Sequence, residues 1–113
     1  MLKNVNNSPH YTWGDNCDGW HLLDSSELSV IQERMPPGTE EVLHYHKKAQ
    51  QLFYVLSGKA TFYIEEEQIV AEQGDSIYIK PNIKHCIKND TVDKDLNFLV
   101  ISQPKSHGDR VVL

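Results

Sequence analysis

The sequence predicts a single all-β domain, a sandwich or barrel of short strands. Three observations lead there. Apolar segments of 4 to 8 residues, rich in Val, Ile, Tyr and Phe, recur at intervals near ~10 residues and are separated by turn signals. Within them, side chains alternate with the period of two that defines a strand. No stretch offers a long helical pattern: Glu65 to Gln73 (EEEQIVAEQ) comes nearest, but it is short and bounded by turns on both sides.

Residues 1 to 19 are polar and turn-rich and read as an N-terminal arm, with Trp13 as an anchor for docking; Trp20 follows at its edge. From Trp20 the segments follow in order. Residues 20–23 (WHLL) end at DSSE, and 28–35 (LSVIQERM) end at the turn formers PPGTEE. Residues 41–46 (EVLHYH) lead through KKAQ into 51–56 (QLFYVL). That segment is apolar on both faces, with Leu52, Tyr54 and Leu56 on one side and Phe53 and Val55 on the other. A strand of this kind needs cover on both faces, so it is expected to be central. Residues 60–64 place Phe62 and Ile64 together, and 76–79 do the same for Ile77 and Ile79. QIVAE lies between them, bounded by EEE and QGD. Residues 85–89 (HCIKN) and 96–103 (LNFLVISQ) complete the set, leaving 104–113 as a C-terminal tail; the domain proper is expected over 20–103.

Composition narrows the function classes. Apolar residues make up 39% and charged residues 24%, the balance of an ordinary globular domain. Sixteen acidic against eleven basic residues give a net charge of -5, which is not the footprint of a nucleic-acid binder. No apolar run approaches the ~20 residues of a membrane span, and the N-terminus has no secretory apolar core. Neither membrane nor nucleic acid is expected as a partner, and a cytoplasmic location is. Cys17 and Cys86 form no CxxC; two reduced thiols, rather than a disulfide, suit that compartment.

The chemistry-bearing residues are histidines. His44 and His46 are i and i+2 on one segment, so their imidazoles project together and can share a metal ion. Taken alone, such a pair is also compatible with packing. His85 lies on a second segment, with Ile87 on its face.

The run Gly38-x5-His44-x-His46-x4-Gln51-x6-Gly58 resembles the first motif of the cupin superfamily, and Gly74-x5-Lys80-Pro81-Asn82-x2-His85-x3-Asn89 resembles the second. The resemblance implies a cupin jelly-roll β-barrel, a double-stranded β-helix. It also implies one divalent transition metal (Zn, Ni, Fe, Mn, Co or Cu) held by His44, His46, Gln51 and His85. The chain departs from the family pattern where Gln51 replaces the usual Glu, where Lys80 takes the usual proline position, and where Asn82 takes that of a glycine. Asn tolerates a left-handed turn, so the last change leaves the turn feasible. Gln50 would point to the opposite face from Gln51. With Gln51 the ligand set is neutral and the ion keeps about two positive charges, which favours anionic ligands and Lewis-acid polarisation.

The expected function is a metal-dependent cupin enzyme acting as a Lewis acid on a small polar or anionic, sugar-acid-like substrate, by isomerisation, ring opening or elimination. A metal-dependent dioxygenase is one alternative; a non-catalytic cupin that binds or senses a small ligand or metal is another. No carboxylate general base is marked within the two motifs. Glu33 and Arg34 lie on a strand that in cupins lines the pocket mouth, so Arg34 is a candidate substrate-carboxylate clamp, set against a solvated strand face. The run Ser106-His107-Gly108-Asp109-Arg110 is either a surface tail or a cover for the barrel mouth; its compact spacing excludes a Ser-His-Asp triad. Leu52, Tyr54 and Leu56 would be left exposed on a lone barrel, which predicts a homodimer unless the N-terminal arm caps them.

Overall fold

A computed structural model describes residues 1–113. Eleven strands follow in chain order: β1 (His10–Trp13), β2 (Cys17–Asp24), β3 (Ser29–Met35), β4 (His44–His46), β5 (Gln50–Ser57), β6 (Lys59–Ile64), β7 (Glu67–Glu72), β8 (Ser76–Ile79), β9 (His85–Lys88), β10 (Leu96–Gln103) and β11 (Arg110–Val112). They form a six-stranded sheet, β1-β2-β3-β10-β5-β8, packed against a five-stranded sheet, β11-β4-β9-β6-β7. Every pairing is antiparallel. Chain neighbours are repeatedly placed in opposite sheets, as in a jelly roll. The segment with the best helical pattern is strand β7, paired along its length with β6.

Alternation sets the two faces. Phe53 and Val55 of β5 are buried, whereas Leu52 and Leu56 are half-buried and Tyr54 is exposed. Register carries the inward face across the sheet: Phe53 lies opposite Val100 of β10 and Ile77 of β8. Phe62 from the facing sheet packs on Phe53, with ring centroids 5.3 Å apart. Met35, Ile87, Leu96 and Phe98 close the core around them.

The arm and the tail both enter the sheets. Strands β1 and β2 form a hairpin at the edge of the larger sheet, with Trp13 packed on the core cluster. Strand β11 lies along β4. Several turns depend on particular residues. Gly58 (φ +88°) faces the Asp95 carbonyl, where a Cβ would collide with backbone. Asn82 adopts φ +69°, the left-handed geometry its side chain tolerates, and its amide donates to the His46 carbonyl at 2.7 Å. The two histidine-bearing segments are thereby tied together. Asn89 is fully buried, donating through Nδ2 to the Met35 and Lys94 carbonyls and accepting from Thr91. Its role is to close the 90–95 loop. Cys17 and Cys86 are both free thiols.

Candidate metal centre

The histidines meet because of strand parity and register. His44 and His46 share the inward face of β4, and His44 is the register partner of His85 on β9. One ligand atom from each of the three rings lies within 4.8 Å of the others. All three side chains are buried.

Two of the rings are oriented by backbone. The Nδ1–H of His44 donates to the Val42 carbonyl at 2.9 Å, and that of His85 to the Ile83 carbonyl at 2.8 Å. A neutral imidazole that donates through Nδ1 carries its lone pair on Nε2. Gln51 (5% exposed) is held likewise: its Nε2 donates to Ser102 Oγ at 3.0 Å, leaving Oε1 as the free end of the carboxamide. Gln50 points outward, where it bonds Gln103 and Tyr78.

Three atoms in this cluster are buried with no hydrogen-bond partner: His46 Nδ1, His85 Nε2 and Gln51 Oε1. Unpartnered buried polar atoms are costly, and several together in one place fit a site built for an ion. Burial also keeps the rings neutral. Desolvation lowers His44 to about 3 and His46 to about 4, and lowers His85 too, so protons do not compete for the lone pairs near neutral pH.

A cavity of about 120 Å³ opens beside the cluster, bounded by His44, His46, Gln51, Glu33, Glu41 and Arg110, with Tyr11, Trp13 and His107 also on its wall. It is small next to the ~300–1,000 Å³ of pockets for drug-sized ligands. Two carboxyl groups face it. Glu33 follows the inward parity of Ile31 and Met35 on β3 and accepts a hydrogen bond from Tyr11 Oη at 3.2 Å. Burial, and then the proximity of Glu41, pushes its pKa up to about 8. Glu41 is raised to about 7, again chiefly by burial. The Tyr11 hydroxyl is pushed up by burial and by Glu33.

No carboxylate general base is marked within the two motifs by the sequence, yet Glu41, between Gly38 and His44, sits in the cavity wall. The segment expected over 41–46 is strand only over His44–His46, so Glu41 lies in irregular backbone and is not held to the face opposite the histidines that alternation would give it. Glu33 was visible from its parity with Ile31. Arg34, one position on, has the opposite parity. Its guanidinium lies outside the cavity, paired with Asp18 at 2.7 Å and Asp95 at 3.3 Å. The cation on the cavity wall is Arg110.

Arg110 belongs to the run Ser106-His107-Gly108-Asp109-Arg110, which lies over the barrel mouth. Asp109 accepts hydrogen bonds from the Lys48 and Ala49 amides at 2.8 and 2.9 Å, pinning the run across the β4–β5 connection. Ser106, His107 and Arg110 thereby line the cavity. Tyr11, His21 and His107 pack together at its edge, tilted or edge-on, with ring centroids 5.0 to 6.0 Å apart.

Residues 31–102 match the family model described as the cupin domain. An uncharacterized protein of Methanocaldococcus jannaschii is 31% identical over 94 residues, covering 82% of this chain and 74% of that protein. An oxalate-binding protein of Thermotoga maritima is 29% identical over 86 residues, 72% of this chain and 70% of its own. Among solved structures, KdgF from a Halomonas species superimposes with a TM-score of 0.85 at 14% identity, covering 96% of this chain and 98% of that one.

Proposed function

The chain belongs to the cupin family, and from that premise we propose that it holds one divalent transition-metal ion through His44, His46, His85 and Gln51 and acts as a Lewis acid on a small anionic, oxygen-rich substrate. The observation that carries this reading is the approach of ligand atoms of His44, His46 and His85 to within 4.8 Å of one another, with His46 Nδ1, His85 Nε2 and Gln51 Oε1 buried and without partners. Three nitrogens and one neutral oxygen suit Zn, Ni, Fe, Mn, Co or Cu. When bound, such an ion supplies charge stabilisation to a substrate carbonyl or hydroxyl.

The protein's own groups supply the rest. The cavity restricts the substrate to a few heavy atoms. Glu33 and Glu41 provide proton-exchanging carboxyl groups on its wall, and their raised pKa values suit transfer near neutral pH. That combination favours isomerisation, ring opening or elimination. The likeness to an oxalate-binding protein supports a small acid as ligand and equally suits a binding role without turnover.

Metal content decides the central claim. The protein, dialysed against each ion and then freed of excess, should retain one ion per chain by elemental analysis, and His46→Ala should retain none. Equal retention by the variant, or none by the parent, refutes the ligand assignment.

A further inference from the structure

We infer that Arg110 is the carboxylate-recognition residue of this cavity, and that the ligand it selects is a small acid carrying a second oxygen within two or three bonds of its carboxylate: a dicarboxylate, a 2-hydroxy acid or a 2-oxo acid. The inference rests on the cupin-site reading above and adds the substrate class and the residue that sets it.

Register is the first support. Strand β11 pairs with β4 so that Arg110 is the direct partner of His46 and Val112 that of His44. Cross-strand partners share a face, so the guanidinium emerges on the side where the histidines gather. Its anchoring is the second. Asp109 fastens the preceding turn to the Lys48 and Ala49 amides, which holds the start of β11 in place without using Arg110 itself.

Availability is the third support. The nearest carboxylate contact of Arg110 is Glu41 Oε2, at 3.9 Å, close to the outer limit for an ion pair. The side chain is 41% exposed. Arg34, in contrast, is engaged by Asp18 at 2.7 Å. A planar guanidinium with free donors, lining a small cavity, is the group that binds a carboxylate in bidentate fashion. Glu33 does not oppose such a ligand: burial favours its protonated form, which donates a hydrogen bond.

The requirement for a second oxygen follows from the histidine cluster beside Arg110. A small molecule whose carboxylate is held by Arg110 shares the cavity with His44, His46 and Gln51, so a second oxygen on it could reach the ion those residues would hold. A monocarboxylate such as acetate has no second polar group to offer once its carboxylate is held by Arg110.

Trp13 lines the cavity, so its fluorescence reports binding. Titration with oxalate, glycolate and malonate, with acetate for comparison, uses the full chain both metal-loaded and metal-free. The loaded parent should bind at least one of the first three at least about tenfold more tightly than acetate. Arg110→Gln should weaken that binding about ten- to hundredfold, the loss of a charge-assisted pair, while retaining the parent's metal content. Arg110→Lys should fall between, and Arg34→Gln should bind as the parent does. Parent-like affinity in Arg110→Gln overturns the assignment, and so does a loaded parent that binds none of the four acids. If Arg110→Gln fails to fold, parent-like affinity in Arg110→Lys overturns the bidentate role. A parent that holds no metal refutes the metal reading alone, because the metal-free titrations still compare Arg110 with its variants.

Discussion

Gly19 lies directly beneath the phenol ring of Tyr11, its register partner across the β1–β2 hairpin. A Cβ at position 19 would overlap the ring carbons and the hydroxyl, so Gly is the residue that lets Tyr11 lie flat and reach Glu33. Gly19→Ala should therefore destabilise the protein by about 1–3 kcal/mol, the usual cost of overpacking. It should also release the Tyr11–Glu33 hydrogen bond. Denaturant unfolding measures the first effect. A variant as stable as the parent would mean the ring has room to move.

Gln51 sets the charge of the metal site. Gln51→Glu places an anionic oxygen where Oε1 now stands, and opposite charges ~4 Å apart are worth several kcal/mol at intermediate dielectric. Metal affinity, measured by chelator competition at matched pH, should rise by about tenfold or more. Equal affinity would exclude Gln51 from the ligand set.

Stability of the metal-free protein should peak near the ordinary pKa of histidine. His44 and His46 are lowered from 6.5 to about 3 and about 4, and His85 is lowered as well. On acidification below about 6.5 the unfolded chain takes up protons that the folded one refuses, so stability falls. Glu33 and Glu41 have the opposite sign. Raised from 4.5 to about 8 and about 7, they stay protonated in the fold while the unfolded chain ionises, so stability declines as pH rises toward 8. Tyr11, Glu41 and Arg110 are the groups that face Glu33. Thermal unfolding in chelator from pH 4.5 to 9 should show a maximum near pH 6.5, and Glu33→Gln should flatten its alkaline side. A melting temperature still rising from pH 7 to 9 contradicts this.

The outer face of the larger sheet is the surface we propose for a homodimer. Tyr54 is 39% and Tyr78 53% exposed there, beside half-buried Leu52, Leu56 and Ile101. The N-terminal arm is seated at the other end of that sheet, where β1 pairs with β2, three strands from β5. A second copy, packed about a two-fold axis, would cover the patch. Light scattering at micromolar concentration should give twice the chain mass, and Tyr54→Asp should halve it. A single-chain mass for the parent removes the proposal.

Local pattern determined much of this protein. Period-two alternation in residues 51–56 and 76–79 specified which side chains share a face, because a strand's geometry leaves no third option. Parity placed His44 and His46 on one face, but it was the resemblance to the two cupin motifs that joined them with Gln51 and His85 as one set. Glu33 followed the parity of Ile31. Register and chain crossing decided the remainder. Arg110 is 64 residues from His46 in the chain and becomes its partner only when β11 lies down beside β4. Glu41 lies just before β4, in backbone too irregular to keep the face that alternation in 41–46 would assign it. Tyr11 reaches Glu33 because a hairpin brings Gly19 under its ring. Parity is a property of a few consecutive residues, whereas the charged wall of the cavity comes from residues far apart in the chain, and only the packed sheets bring them together.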